Sequence, residues 1–385
     1  MVSAGFAIFS ARRGRALPSW DRSDVPLCLV AILSFAGRAS VALSLPPSFR
    51  GAARPLPGPS RLCAVLLLAF AAFGAAFVPP FGSCRRLSSE PILSPRGSGF
   101  ESAGTFNPAV VKENGKFVML YRAQDSKGTS SLGYATSGDG IHFSRRPEPV
   151  MAAEAPYEKG GGVEDPRLVR LGHTYYLTYT GYNNVDGTGP DHKDAQLCLA
   201  TSVDLIHWQR RGVIMPAYKG KWNVGWTKSG AIVPEKINGK YWMYYLGDAR
   251  NVGSQMGVAY SNDLLHWTDA LDHPVVSSRA REFDSRVVEP GSPPVITREG
   301  ILLIYNGADD QLVYRTGWVL FDKNDPARVL ARAAKPLFEP EKPWEKVGQV
   351  PSVVFVEGLV REGPRWLFYY GGADKYVGVA FAMQR

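Results

Sequence analysis

Asp165, Asp248, Glu289 and Asp374 each stand at the start or the end of an apolar run, and Arg122, Arg167 and Lys228 occupy matching places. Carboxylates and cations gathered at such density are costly to bury unless they hold something polar or move protons. Carboxyls grouped beside cations can bind a polar ligand and exchange protons with it as general acid and base. Such chemistry needs a fold that brings residues more than two hundred positions apart onto one rim.

An internal repeat supplies that fold. Ser137-Gly-Asp-Gly-Ile-His-Phe143, Ser202-Val-Asp-Leu-Ile-His-Trp208 and Ser261-Asn-Asp-Leu-Leu-His-Trp267 align without gaps at spacings of 65 and 59 residues. A second element, an apolar strand closing on Tyr, recurs at Tyr121, Tyr179, Tyr245, Tyr305 and Tyr370, spaced by 58, 66, 60 and 65 residues. Each unit is long enough for a four-stranded antiparallel blade. Five units fill the chain from Gly104 to Arg385, which predicts an all-β, five-bladed β-propeller.

In a propeller the inner strand of every blade lines one channel, so polar residues at the same place in each repeat converge. Counting back from each repeated Tyr puts Asn107, Glu164-Asp165-Pro166-Arg167, Lys228-Ser229, Glu289 and Ser352 at the start of the inner strands. The strand ending in the Tyr runs antiparallel to the inner one, and so returns Arg122, Asp125, Asn183, Asp248, Asn306, Asp309 and Asp374 to the same rim. The run Gly160-Gly161-Gly162 lets backbone pass close to a ligand. His142, His207 and His266 belong to the outer motif and cannot converge on a metal ion. There the Asp of each motif organises a turn and the Phe or Trp packs between blades.

Charge excludes nucleic acid as a partner. The net charge is +9, but residues 1–90 hold ten arginines, no lysine and three acids, which leaves only +2 for the remaining 295 residues. No basic footprint for a phosphate backbone remains in the folded part. Of four cysteines, Cys28, Cys63 and Cys84 fall in the N-terminal segment and Cys198 falls between two leucines, so neither a disulfide framework nor a zinc cluster is available. The expected organisation is a leader over residues 1–86 and a catalytic propeller over residues 87–385. Within the leader, residues 62–80 read as an export signal or membrane anchor, being basic, then apolar, then rich in small residues. An exported location is expected on that ground.

From about Pro91 to Ala382 the sequence resembles glycoside hydrolase family 130, the mannoside phosphorylases and β-mannosidases. The resemblance rests on Phe106-Asn107-Pro108-Ala109, Tyr121-Arg122-Ala123-Gln124-Asp125, Gly162-Val163-Glu164-Asp165-Pro166-Arg167, Pro234 to Tyr241, Val353 to Gly358 and Tyr370-Gly371-Gly372-Ala373-Asp374, in that order and spacing. It implies the five-bladed fold, places Asp165 beside the scissile bond, and gives Asn107, Arg122 and Asp374 the task of holding mannose. Asp125, Arg167, Lys228, Ser229, Tyr305 and Asn306 complete the expected set of sugar-binding residues.

Members of the family divide by nucleophile. Phosphate needs several convergent cations or donors, and the phosphorylases supply an Arg, a Lys and a His in a Tyr-His-Gly motif. Here Lys228 is present, but Tyr305-Asn306-Gly307 replaces the His motif and Tyr182-Asn183-Asn184 stands where the Arg is expected. Val288-Glu289-Pro290-Gly291 resembles the hydrolytic members, with Asp248 as the second carboxylate. The expectation is therefore an inverting exo-β-mannosidase acting on β-1,2-linked mannoside oligosaccharides. Its catalytic residues are Asp165, Asp248 and Glu289, with acid and base unassigned. A phosphorylase is the alternative and a non-catalytic sugar-binding propeller the second. No motif calls for a metal or an organic cofactor.

Overall fold

A computed structural model describes residues 77–250 and 252–385. The first strand, β1 (Arg85–Arg86), is followed by four strands forming an antiparallel meander: β2 (Gly104–Glu113), β3 (Lys116–Gln124), β4 (Ser130–Ser137) and β5 (Ser144–Arg145). A second meander consists of β6 (Gly160–Leu171), β7 (Thr174–Asn183), β8 (Asp194–Ser202) and β9 (Gln209–Met215). The third runs β10 (Asn223–Ile232), β11 (Tyr241–Ala249), β12 (Gly253–Ser261) and β13 (Trp267–Asp269).

In the fourth, β14 (Val287–Pro290) and β15 (Val295–Ile296) both pair with β16 (Ile301–Ala308), followed by β17 (Tyr314–Phe321) and β18 (Val329–Arg332). The last joins β19 (Val354–Glu362), β20 (Arg365–Gly372) and β21 (Tyr376–Met383), and β1 adds as its outer strand. The all-β expectation is met.

Local sequence explains the meanders. β2 and β3 meet through Asn114-Gly115, both at positive φ, the turn whose twist matches a two-residue hairpin. Inner strands such as β2 are buried on both faces and read as nearly continuous apolar runs, whereas outer strands such as β9 begin by alternating between exposed and half-buried positions and turn buried only at Ile214 and Met215.

Apolar side chains then pack sheet against sheet. Leu120 and Val118 meet Leu168 and Leu177; Leu197 and Leu199 meet Met243 and Ala259; Tyr244 and Val258 meet Leu303 and Val319; Ile304 and Leu320 meet Val356 and Phe368. A fifth cluster returns from Tyr369 and Val377 to Val110 and Met119 of the first meander.

The repeated Tyr has a role in this packing. Its hydroxyl donates to a buried carboxylate at 2.8 Å in Tyr121–Glu101, Tyr179–Glu158 and Tyr370–Glu345, and at 2.6 Å in Tyr305–Asp284. An Arg from the outer strand grips the same carboxylate: Arg145, Arg210, Arg86 and Arg332 respectively. In the third meander Tyr245 donates instead to Asp269, which itself sits on the outer strand. Each latch ties the middle of a sheet to its rim.

The Ser-x-Asp-x-x-His motifs are turns. Asp139, Asp204 and Asp263 each accept two backbone N–H bonds and face their own His at 2.6 to 2.7 Å, with the histidines exposed. Gly162 serves the seam between β4 and β6 rather than a ligand, because a Cβ there would overlap the Ser130 carbonyl.

Residues ahead of Leu87 take part in the fold. Phe81 is fully buried against Trp366 and Phe368, Phe77 packs on Trp318, and Pro80 accepts a bond from the Arg385 N–H. The greater part of the expected leader, with most of its apolar segment 62–80, lies outside the described residues. Among the described residues no helix is long and apolar enough to cross a membrane.

Candidate active site

The site is built from irregularities at one level of the inner strands. In β2 the ladder slips between Phe106 and Pro108, in β6 between Glu164 and Arg167, in β10 between Lys228 and Ala231, and in β19 between Val356 and Gly358. Asn107, Asp165 and Ser229 occupy three of these bulges at φ of 48°, 53° and 58°. The pairing of β14 ends at Pro290. A bulge re-aims the side chain it carries, which is how five strands with apolar faces present polar groups to one place.

Asp165 is the centre of the cluster. Its Oδ1 accepts from Asn107 Nδ2 at 2.8 Å and from Arg122 Nη1 at 3.1 Å, and Lys228 Nζ lies 3.9 Å from its Oδ2. Burial alone would raise this carboxyl. Arg122, Lys228 and Arg167, with the Asn107 amide, outweigh burial and hold it well below the usual range. Asp374 lies over the same cations at the turn after β20 and is pushed up to about 7, burial dominating the pull of Arg122. Glu289 is also raised by burial, against Arg167, Lys228 and a short hydrogen bond from Ser229. Neighbouring carboxyls thus differ in proton affinity, the pattern expected where protons are exchanged.

Two members fall within the sequence motifs without a role of their own there. Glu164 accepts from Arg122 Nη2 at 2.5 Å and lies 3.6 Å from Lys228 Nζ. In a regular strand Glu164 and Asp165 would face opposite ways; the bulge brings both to Arg122. Glu357, fully buried in the β19 bulge, faces Arg167 at 2.9 Å and takes the inner place that counting assigned to Ser352. A lone Glu after the apolar run Val353–Val356, within the motif Val353 to Gly358, was its signal.

Other expected members are placed elsewhere. Asp248 accepts from Ser254 Oγ at 2.7 Å and the Trp226 N–H at 3.3 Å, beside the aromatic group Trp226, Tyr182 and Tyr218. Asp125 caps its own turn through the Lys127 and Thr129 N–H groups. Tyr305 belongs to the Asp284 latch.

Asn306 is fully buried and staples β16 to β19, donating to the Val356 carbonyl and accepting from its N–H, with Thr316 as a further donor. Asn183 caps the loop after β7 through the Val185 and Asp186 N–H groups. An open hollow of about 860 Å³ against Tyr157, Asn183, Asp194 and Gln196 lies outside the carboxylate cluster. Among the described residues no His, Cys, Asp and Glu group could hold a metal ion.

The chain is similar to known proteins. Residues 89–385 match the family described as beta-1,4-mannooligosaccharide phosphorylase. The chain is 40% identical over 304 residues to a 1,2-beta-oligomannan phosphorylase of Thermoanaerobacter sp. (strain X514), covering 77% of this chain and 96% of the relative. It superposes with a TM-score of 0.68 and 26% identity on a beta-1,2-mannobiose phosphorylase from Listeria innocua solved with beta-1,2-mannobiose, over 78% of this chain and 96% of that one. It also superposes with a TM-score of 0.70 and 35% identity, over 80% and 96% of the two chains, on a structure described as showing that the family of mannoside phosphorylases contains glycoside hydrolases that target beta-1,2 mannosidic linkages in Candida mannan.

These relatives correct the expectation of hydrolysis, because proteins matched over nearly their full length, at 40% and 37% identity, are phosphorylases. The structure gives the physical reason. Asn306 and Asn183 satisfy main chain, so their presence does not report on phosphate, and Asp248 is engaged by Ser254 and the Trp226 N–H. Fold, bulged inner strands and matched residues together place this chain in glycoside hydrolase family 130, the family of mannoside phosphorylases.

Proposed function

We propose that the protein is a phosphorylase of β-1,2-linked mannosides, working in the channel of a five-bladed propeller. The observation that carries the reaction is the 40% identity, over 96% of its length, to a 1,2-beta-oligomannan phosphorylase. The five apolar clusters between successive sheets, the fifth returning to the first, support the blade count.

In this reading Asn107, Arg122 and Asp374 hold the terminal mannose and Asp165 faces the glycosidic oxygen. Inorganic phosphate enters beside Lys228 and Ser229. Its charge offsets the cations that hold Asp165 low, so Asp165 takes up a proton once the nucleophile is bound. A phosphate oxygen then bonds to the anomeric carbon, the glycosidic C–O bond breaks, and the proton passes from Asp165 to the leaving oxygen. Mannose 1-phosphate and a mannoside shorter by one sugar result. Glu289 in its protonated form donates to the phosphate alongside Ser229, as a buried carboxylic acid can.

Incubation of the enzyme with β-1,2-mannobiose and phosphate is expected to give mannose 1-phosphate and mannose in equal amounts, with no cleavage when phosphate is omitted. Free mannose released at the same rate without phosphate would overturn the proposal.

A further inference from the structure

Glu357 has no task in the reaction described above, yet it is fully buried at the level of the site. Its partner Arg167 is equally buried, and the contact between them is 2.9 Å. Among the described residues neither Glu357 oxygen completes a hydrogen bond of good angle, so the pair is an electrostatic contact across the guanidinium.

The remaining capacity of Arg167 goes to backbone. Nη1 donates to the carbonyl of Asp165 at 3.0 Å, Nη2 to that of Pro290 at 2.9 Å and Nε to that of Gly291 at 3.0 Å. A guanidinium is planar, its donors are fixed in direction, and it cannot give up its charge. One rigid fork therefore joins three inner strands. It holds the backbone of Asp165 itself on β6, the residue next to Glu289 on β14, and the bulge of β19.

We propose that Glu357, acting through Arg167, is a positioning residue that sets the separation of Asp165 and Glu289 across the channel. The inference rests on the reading of those two carboxyls as groups that meet the reacting atoms. Burial pushes the Glu357 carboxyl well above its usual range while Arg167 draws it down, and 2.9 Å from a guanidinium that cannot give up its charge we take it as the anion; without that anion Arg167 would turn toward Asp165 or Glu289 for a counter-charge and leave the carbonyls it now spaces. Orientation errors of this size at a reacting centre are costly in rate while leaving ground-state binding intact.

The test measures kcat and KM for β-1,2-mannobiose from about pH 5 to about pH 9, with the thermal midpoint, in Glu357→Gln and Glu357→Asp beside the unsubstituted enzyme. For Glu357→Gln, kcat is expected to fall about 100-fold with KM within about threefold. The alkaline limb of the profile should move to lower pH by about one unit, because an uncompensated Arg167 favours ionised neighbours. For Glu357→Asp, which keeps the charge but shortens the reach, the limb should stay in place and kcat should fall about tenfold.

A lowered thermal midpoint with parental kcat and an unmoved limb in both variants would overturn the proposal. If Glu357→Gln does not fold, parental kcat in Glu357→Asp overturns it alone. The unsubstituted enzyme is assayed with and without phosphate. A wrong reaction then shows in its products, and a wrong role for Glu357 shows in the ratio of variant to parent, whatever the products are.

Discussion

Asn107 donates its side-chain amide to Asp165 at 2.8 Å, and the two residues sit in matching bulges of neighbouring inner strands. Each needs positive φ, and each gains its direction from that strained turn. Asp165→Asn keeps the shape and removes the transferable proton. It is expected to lower kcat by about 10³ to 10⁴ with modest change in KM; a loss under tenfold would remove Asp165 from proton transfer.

Asp374 supplies a pH signature. Its carboxyl is raised to about 7 in the fold, so the native state keeps a proton that the unfolded chain has released. Its contribution to stability is therefore greatest at low pH and declines as pH rises toward about 7. A sugar hydroxyl donating to this carboxyl favours the ionised form, so mannoside affinity should rise with pH through the same range. Calorimetric titration of Asp374→Asn should show that dependence gone; an unchanged dependence would assign it to another group.

Ser229 donates to Glu289 and so favours its ionised form. Ser229→Ala should push Glu289 further up and carry the alkaline limb of the rate profile to higher pH by about half a unit or more. A shift to lower pH would contradict the use of protonated Glu289.

Glu158 lies far from the reaction but at the heart of one latch. It accepts from Tyr179, from Arg210 and from the N–H groups of Glu154 and Ala155. Glu158→Ala leaves all four donors without their acceptor and should cost about 3 to 5 kcal/mol. Thermal unfolding would show this as a drop of about 5 to 15 °C, while kcat and KM of the folded enzyme at lower temperature stay at parental values.

What could be read from the sequence followed from symmetry. Four similar spacings, of 58 to 66 residues, between the repeated tyrosines mark where strands start and end, so Asn107, Asp165, Lys228 and Glu289 could be assigned to one level of the inner strands, and the structure brings them together. The function of the Tyr itself went unread, although four of its carboxylate partners stand 20, 21, 21 and 25 residues before it, because Asp269 breaks the pattern by following Tyr245. Bulges hid Glu164 and Glu357 by breaking the alternation on which facing is judged.

Asn306 shows the opposite error. A polar residue in an apolar strand reads as a ligand contact, but this one completes the hydrogen bonds of Val356. Sequence pattern does not distinguish a carboxylate already capped, such as Asp248 or Asp125, from one that joins the cluster around Asp165.

The pairing of Arg85 and Arg86 with Phe381 and Ala380 has a consequence in time. Arg86 also reaches Glu345 and Glu341 from the other end of the chain. These partners are made nearly three hundred residues after β1 leaves the ribosome, which at about 5 to 20 residues per second is a delay of about 15 to 60 s. Until then β1 and the Phe81 side chain have nothing to pair with, and the last sheet lacks its edge. The last sheet therefore gains its outer strand only once β21 has been made. A nascent chain stalled short of β21 would hold four meanders and a last sheet without its edge, the state in which chaperones and proteases would first find it.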